Sequence, residues 1–281
     1  MRAAPVDGAT LHYEVVGEGP TCLVLSGWPG VDHTYLRPGV DRLARRVALV
    51  YYDHRCHGRS PCASPDSITV EQLADDADAL AAAIGAGGVV ALGHFHGASV
   101  AQELAIRHPG RVRGMILVGA TPGELGADES LLDDLDAPPV PVEVDVLQRV
   151  PPATDDELAA TLRALAPHLV GEDGGTDPEA VFAGATFDAR AAGRWMQALR
   201  WWSSVDRLAD VDVPALLVVG RHDVLCPPPQ SERIRRRLGR AELVVVEGAG
   251  HLPWIPDGEA FAAAVEGWLD RLERLDRDGS G

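Results

Sequence analysis

Six short runs of apolar, largely β-branched residues alternate along the chain with stretches whose apolar residues have helical spacing. These runs cover residues 21–25, 47–52, 88–92, 115–119, 215–220 and 243–247. Strands that are apolar throughout must be covered on both faces, so the alternation predicts a mostly parallel sheet with helices on each side. We therefore predict an α/β, doubly wound fold.

Helices are predicted between these runs at residues 43–45, 73–84, 98–108 and 259–275. Thr69, followed three residues later by Gln72, forms a capping box ahead of the second of them. The positions of the helices support the same α/β assignment.

The alternation fails between residues 122 and 210. This region contains an acidic, proline-rich segment at 124–141, helical patterns at 155–169 and 189–202, and a glycine-rich turn at 171–175. No strand-like run separates the helical patterns, so we predict a helical cap over the carboxyl edge of the sheet, where ligands bind in such folds. The core would then comprise residues 1–121 and 211–281.

The charge of the chain restricts its chemistry and its partners. The net charge is -17, and all 25 basic residues are arginine. Without lysine, Schiff-base catalysis is excluded. An acidic surface repels nucleic acids and anionic membranes. We expect a small hydrophobic molecule as the partner and a monomer or homodimer as the oligomeric state.

The four cysteines lack the C-x-x-C spacing of a redox or metal motif, so we expect no disulfide framework. They are Cys22, Cys56, Cys62 and Cys226. Residues 1–8 contain no apolar leader segment, and no apolar run approaches the roughly 20 residues that span a bilayer. These observations predict a soluble cytoplasmic protein.

A glycine-flanked turn, Gly93-His94-Phe95-His96-Gly97, stands between a predicted strand and a predicted helix. This is the outline of a nucleophile elbow, whose central residue is normally a nucleophile. Phe95 can neither ionise nor attack. A bulky residue held in a strained elbow costs on the order of 1–3 kcal/mol, so its surroundings must stabilise it.

Four further segments resemble, in order, loops of the α/β-hydrolase superfamily, and in particular of its prolyl-iminopeptidase-like branch. Residues 25–38 are similar to the HGGPG loop, residues 51–60 to the D-x-R-G-x-G-x-S loop, residues 220–227 to the acid loop and residues 248–253 to the histidine loop. The resemblance extends from about Leu11 to Leu269. Ser26 replaces the usual histidine of the first loop, and Cys56 replaces the usual glycine of the second.

The resemblance implies an α/β-hydrolase fold with triad positions at Phe95, Asp223 and His251. Asp223 would hold the Nδ1 proton of His251, which would act as a general base. The backbone N–H groups of Trp28 and His96 would form an oxyanion hole. Alternatively, the Asp–His pair is a relic that only ties two loops together.

Aromatic side chains are the candidates for substrate binding. The predicted substrate contacts are Phe95, Trp28, His94, Trp195, Trp202 and Trp254. Such rings suit a hydrophobic ligand, although core packing is the alternative for the tryptophans and a filled pocket is the alternative for Phe95. We expect neither a metal nor a cofactor, because the His-x-His on a turn usually points its two rings apart.

Three functions remain open from the sequence. Losing the nucleophile costs roughly 10⁶-fold in turnover, which argues against covalent acyl transfer. The first hypothesis is a nucleophile-independent lyase, cyclase or isomerase that acts on a hydrophobic carbonyl compound of specialised metabolism. The second is a hydrolase in which His251 activates water directly, and the third is a catalytically silent binding or accessory protein.

Overall fold

The computed structural model describes residues 2–123, 152–171, 178–255 and 258–278. The predicted proline-rich segment at 124–141 lies outside the described residues, as does all of the glycine-rich turn except Gly171.

Eight strands form one sheet in the described part of the chain. They are β1 (Arg2–Val6), β2 (Ala9–Val16), β3 (Thr21–Leu25), β4 (Ala48–Tyr52), β5 (Val89–His94), β6 (Val112–Val118), β7 (Ala215–Gly220) and β8 (Ala241–Val246). Their spatial order is β1-β2-β4-β3-β5-β6-β7-β8. All pairs from β4 to β8 are parallel, whereas β2 is antiparallel to both β1 and β4. The predicted mostly parallel sheet is confirmed.

The sequence analysis missed the first two strands. They form an antiparallel hairpin around Gly8, and Leu11 is the fully buried residue of β2. A strand at the edge of a sheet has one solvated side, so it lacks the continuous apolar run that reveals a central strand.

The described residues also form eight helices, some of which cover the two faces of this sheet. They are α1 (Arg37–Val40), α2 (Val70–Ala83), α3 (His96–Arg107), α4 (Asp155–Leu165), α5 (Pro178–Val181), α6 (Ala189–Leu199), α7 (Pro228–Arg237) and α8 (Gly258–Arg277). The Thr69 hydroxyl caps α2 by accepting the Gln72 N–H at 3.1 Å, as the capping box predicts. The helix predicted at 43–45 is instead part of a 3₁₀ turn, Asp41–Arg45.

Alternate residues of the central strands enter two apolar clusters, one on each face. In β3, Cys22 and Val24 join the cluster beneath α8, while Leu23 and Leu25 join the cluster beneath α2 and α3. This two-residue alternation buries both faces, so the loops at the carboxyl edge stand on a rigid base.

Helices α4 to α6 follow β6 and precede β7 along the chain, and their flanking residues contact two loops of the sheet edge. The Asp188 N–H donates to the Gly30 carbonyl at 2.8 Å. The Leu252 N–H donates to the Leu169 carbonyl at 3.1 Å. The region between β6 and β7 therefore touches both the loop after β3 and the loop after β8.

The expectation that the cysteines form no disulfide framework is wrong for one pair. Cys56 and Cys62 form a disulfide, with their Cα atoms 5.0 Å apart, whereas Cys22 and Cys226 are free and buried. The sequence did not reveal the pair because the fold of the five residues between them, rather than a motif, brings the two sulfur atoms together.

Candidate active site

Phe95 is the single residue between the end of β5 and the start of α3. Its backbone is in a sparsely populated region, with φ 54° and ψ −121°. The Phe95 N–H donates to the Val118 carbonyl at 2.9 Å, and its carbonyl accepts the Ala98 N–H at 3.0 Å. The turn has the sharp strand-to-helix geometry of an elbow, and these bonds hold a conformation that costs on the order of 1–3 kcal/mol.

The two glycines that flank the elbow are required because neighbouring backbone passes very close to them. A Cβ atom at Gly93 would lie 2.3 Å from the Gly97 carbonyl oxygen, and one at Gly97 would lie 2.1 Å from the Leu25 carbonyl oxygen. No side chain fits at either position, so the sequence pattern follows directly from the tightness of the turn.

Asp223 and His251 follow the adjacent strands β7 and β8 and meet at the carboxyl edge of the sheet. The His251 Nδ1 lies 2.9 Å and 3.0 Å from the two carboxylate oxygens of Asp223, and both side chains are fully buried. The Leu225 and Cys226 N–H groups donate to Asp223 Oδ1 at 2.9 and 2.8 Å. Asp223 is therefore fixed, and it orients the imidazole with Nδ1 as the donor.

The other ring nitrogen of His251 has no hydrogen-bond partner among the described residues, although it is buried. A buried polar atom without a partner costs free energy and often marks a group that works on a ligand. The geometry leaves Nε2 able to accept a proton.

Gly119 directly follows β6 and lies against the Asp223–His251 pair. Its φ is +52°, and a Cβ atom there would lie 3.1 Å from Asp223 Oδ2 and 3.1 Å from two atoms of the His251 ring. A residue without a side chain is thus needed beside the Asp–His pair.

The Phe95 ring is surrounded by predicted site residues. Its centroid lies 3.8 Å from that of His96, 4.7 Å from that of His251 and 5.0 Å from that of Trp28. The His251 ring is nearly perpendicular to it, at 88°. These four residues, predicted separately from sequence, form one cluster.

His94 has a different place from the one predicted, since protein atoms occupy both ring nitrogens. Its Nδ1 accepts from the Tyr35 hydroxyl at 3.0 Å, and its Nε2 donates to the His251 carbonyl at 3.1 Å. Burial lowers the pKa of His94 well below its usual value, so the ring is neutral and can play both roles. His94 ties the elbow strand to the histidine loop.

The three other predicted tryptophans lie in buried packing positions. Trp202 donates its indole N–H to the Glu103 carboxylate at 2.8 Å, and Trp195 packs edge-on against His54 and His57. Trp254 packs against His94 and Phe261. None of the ring contacts described for Phe95 involves them. These contacts agree with the core-packing alternative.

Sequence reasoning missed two aromatic residues of this cluster. Phe182 packs edge-on against Trp28, with centroids 5.7 Å apart, and also contacts Tyr35 at 6.1 Å. Phe182 lies just after the short helix α5, where no motif marks it. Phe182 and Tyr35 thus extend the group of aromatic rings that Trp28 and Phe95 form beside His251.

The loop that carries Trp28 is held from several sides. The Gly27 N–H donates to the Tyr35 hydroxyl at 2.9 Å, and the Gly30 N–H donates to His57 Nε2 at 2.9 Å. Burial raises the pKa of Tyr35, and the Gly27 and Trp28 amides oppose that rise. The Tyr35 hydroxyl and His57 thus fix the backbone on both sides of Trp28.

His96 is the first residue of α3, where backbone N–H groups have no partner within the helix and the helix dipole is positive. Its side chain stacks on Phe95, and burial lowers the pKa of His96 to about 3. The ring is therefore neutral at physiological pH.

In the described ranges, no group of three or more His, Cys, Asp or Glu side chains could hold a metal ion. No described helix is long and apolar enough to cross a membrane.

A family model described as the alpha/beta hydrolase fold matches residues 20–257. The chain belongs to the α/β-hydrolase family. This match covers the elbow, Asp223 and His251, and it confirms the predicted fold.

Two proteins and one solved structure illustrate the similarity. The chain is 34% identical over 254 residues to a pimeloyl-[acyl-carrier protein] methyl ester esterase of Neisseria meningitidis, which covers 88% of this chain and 77% of that protein. It is 26% identical to a proline iminopeptidase of Pestalotiopsis fici, over 95% and 98% of the two chains. The enol-lactonase of Burkholderia xenovorans LB400 superposes with a TM-score of 0.76 at 23% identity, over 96% and 100% of the two chains.

These comparisons overturn one expectation. The predicted lyase, cyclase or isomerase activity is wrong, because the similar proteins are named as an esterase and a peptidase, both of which are hydrolases. The missing nucleophile suggested chemistry without hydrolysis, but an Asp-supported histidine can also serve hydrolysis by activating water. The α/β-hydrolase family of the chain favours the hydrolase hypothesis.

Proposed function

We propose that this protein is a hydrolase of hydrophobic esters or lactones in which His251, held by Asp223, activates water directly. The observation that carries the proposal is the pair itself. Asp223 accepts at 2.9 and 3.0 Å from Nδ1 of His251, and the opposite nitrogen, Nε2, is buried without a partner. A neutral imidazole held in this tautomer is a general base.

The reaction would proceed without an acyl-enzyme. His251 Nε2 takes a proton from a water molecule whose oxygen attacks the ester carbonyl carbon. The tetrahedral oxyanion accepts hydrogen bonds from the Trp28 and His96 backbone N–H groups. When the intermediate collapses, the C–O bond to the leaving alkoxide breaks, and the imidazolium returns its proton to that oxygen.

The non-serine part of the proposal depends on Phe95, which stands at the elbow where a nucleophile would stand. Ser99 lies four residues after Phe95 and Ser26 directly follows β3, and both are fully buried. Neither lies at the turn between β5 and α3. We therefore assign Phe95 to substrate contact rather than to covalent catalysis.

The substrate class follows from the walls of the site. The Trp28 and Phe95 rings contact His251, and Phe182 packs on Trp28, so the aromatic surroundings of the base suit an apolar acyl or alcohol group. The net charge of -17 disfavours anionic substrates. The named activities of similar proteins, on a methyl ester and on an enol-lactone, are compatible with this class.

We further propose that residues 122–210 form the cap. We also assign the chain to the prolyl-iminopeptidase-like branch, because of its four loops and its similarity to the protein from Pestalotiopsis fici.

The test combines turnover with a covalent probe. Purified protein is assayed on a panel of p-nitrophenyl esters and γ-lactones, and it is also incubated with a fluorophosphonate that labels activated serines. We expect hydrolysis with no label on the wild type, and labelling of Phe95→Ser at residue 95. Labelling of wild-type Ser26 or Ser99 would instead show a serine nucleophile and would overturn the water mechanism.

One observation favours the binding-protein alternative. The Phe95 ring lies against His251, whose side chain has no exposed surface. If this contact never opens, the base cannot reach a substrate. Absence of turnover on the whole panel, together with tight binding of hydrophobic esters by calorimetry, would identify a binding protein.

A further inference from the structure

The Cys56–Cys62 disulfide closes a small loop directly after β4. Both of these cysteines are partly exposed, whereas the two free cysteines, Cys22 and Cys226, are buried. A reductant in solution can therefore reach this bridge more readily than the other sulfur atoms.

The bridged loop is conformationally unusual. Cys56 has φ 62° and, with Phe95, is one of two non-glycine residues with positive φ in the described part of the chain. The Cys56 N–H donates to the Ser60 carbonyl at 2.9 Å, and the Ser60 N–H donates to the His57 carbonyl at 2.8 Å. A residue with a Cβ atom is strained in this region, so the closed loop must hold Cys56 in place.

The residues that flank Cys56 and His57 are anchored independently of the bridge. Arg55 forms a buried, two-bond ion pair with Asp76 at 2.7 and 2.6 Å. The Arg59 N–H donates to Asp53 Oδ2 at 2.9 Å. Opening the disulfide would therefore loosen the segment between these anchors without unfolding the strand before it.

His57 lies within that segment and connects it to the loop that carries Trp28. Its Nδ1 donates to the Arg55 carbonyl at 2.8 Å, and its Nε2 accepts the Gly30 N–H at 2.9 Å. Gly30 also lies close to α6, since a Cβ atom on it would be 2.4 Å from the Asp188 carbonyl oxygen. Gly30 lies two residues after Trp28. Its backbone is thus held between His57 on one side and the residues before α6 on the other.

We propose that the Cys56–Cys62 disulfide is a redox modification site that controls, through His57, the position of the loop carrying the Trp28 amide. In this role His57 is a positioning residue. The effect on hydrolysis depends on the proposed function, whereas the coupling between the bridge and the loop does not.

The chemical step needs a dithiol reductant, such as dithiothreitol or a thioredoxin-like protein. A thiolate of the reductant attacks one cysteine sulfur, the bond between Cys56 and Cys62 breaks, and a mixed disulfide forms. The second thiol of the reductant then displaces the cysteine, so that the reductant becomes a disulfide and the two cysteines gain two electrons and two protons.

The test measures thiols and loop protection separately. Native wild-type protein is alkylated with iodoacetamide before and after treatment with dithiothreitol, and the modified cysteines are mapped by mass spectrometry. Hydrogen exchange of a peptide spanning residues 27–31 is followed under the same two conditions. We expect reductant-dependent labelling of Cys56 and Cys62 and about tenfold faster exchange at 27–31, the effect of losing one hydrogen bond.

Matched variants make the result specific. The double variant Cys56→Ser/Cys62→Ser should exchange rapidly at 27–31 without reductant and should not respond to it. His57→Leu should exchange rapidly at 27–31 with the bridge intact. Unchanged exchange in fully reduced wild type would overturn the proposal, as would labelling of Cys56 without reductant.

Hydrolysis of p-nitrophenyl acetate is recorded in parallel. If the loop responds and turnover falls several-fold through kcat, both proposals hold. If the loop responds but no condition gives turnover, the redox coupling stands and the proposed hydrolase function fails.

Discussion

The phenyl ring of Phe95 meets the imidazole of His251 at an interplanar angle of 88°, with centroids 4.7 Å apart. An apolar side chain therefore contacts the proposed base at the position from which a nucleophile would donate its proton. The residue at the elbow determines both whether a covalent step is available and how much space remains beside His251.

Replacing Phe95 with serine should create or strongly raise esterase activity on small activated esters. The backbone already adopts the elbow conformation, and Asp223, His251 and the start of α3 are in place around it. A hydroxyl at residue 95 would then be a nucleophile, and His251 would be positioned to accept its proton. Burst kinetics with p-nitrophenyl acetate measure the gain.

Phe95→Ala is the matched control, because it opens the same space without supplying a hydroxyl. We expect the serine variant to exceed it by roughly 10²-fold or more. Equal rates in the two variants would show that the gain comes from space alone and that the Asp–His pair does not activate residue 95.

His251→Ala should remove roughly 10²–10⁴-fold of the hydrolytic rate and leave substrate binding nearly unchanged, because general-base catalysis acts in the transition state. Asp223→Asn should also lower kcat, since an amide cannot stabilise the imidazolium and favours the wrong tautomer. Steady-state kinetics on an ester that the wild type cleaves separate kcat from KM. Wild-type rates in His251→Ala would eliminate this residue as the base.

Sequence reasoning located the parts of the fold that have strong local signals. The central strands are apolar on both faces, and Thr69 caps its helix within four residues of sequence. The elbow requires glycine on both sides, because an added Cβ atom would lie less than 2.5 Å from a backbone oxygen. The edge hairpin of β1 and β2 has no such signal, because half-buried strands of mixed polarity resemble loops.

The sequence predicts only part of the candidate site for a similar reason. Asp223 and His251 follow strands and could be paired from the topology of parallel sheets. The two hydrogen bonds of the His94 ring and the disulfide between Cys56 and Cys62 depend on how the loops fold against one another. Chemical type alone could not distinguish a histidine that faces a ligand from one that ties two loops together.

Gly119→Ala should destabilise the protein and reduce hydrolysis. The new Cβ atom would lie 3.1 Å from Asp223 Oδ2 and from the His251 ring, and the backbone has φ +52°. Positive φ for alanine costs on the order of 1 kcal/mol, and the crowding adds to it by pushing His251 from its position. Urea unfolding and kcat measure the two effects.

Gly85→Ala controls for backbone strain. Gly85 has φ +74° and nothing within 4 Å of an added Cβ atom. We expect a similar strain cost but unchanged kcat. If both variants lose equal stability and keep full activity, Gly119 does not position the Asp–His pair.

The free energy of unfolding should fall as the pH drops below about 6.5. Burial lowers the pKa of His54 to about 3, and burial also lowers the pKa values of His57 and His94. The unfolded chain binds protons at these rings near pH 6.5, whereas the folded chain does not. Each ring therefore removes up to about 1.4 kcal/mol of stability per pH unit below that point. His33 opposes the trend. Burial alone would lower the pKa of His33, but its hydrogen bonds to Asp53 and Glu14 and the neighbouring carboxylate charges together raise it.

Urea unfolding at pH 7.5, 6.5 and 5.5 tests this dependence, and His54→Gln provides the comparison. The His54 Nε2 donates to the Ser26 carbonyl at 3.1 Å, while its Nδ1 has no partner, so a glutamine amide can keep the bond and loses only the titrating group. We expect the variant to lose less stability than wild type between pH 6.5 and 5.5, by up to about 1.4 kcal/mol. Stability that stays constant or rises across this interval would show that the buried histidines accept protons without cost in the folded state.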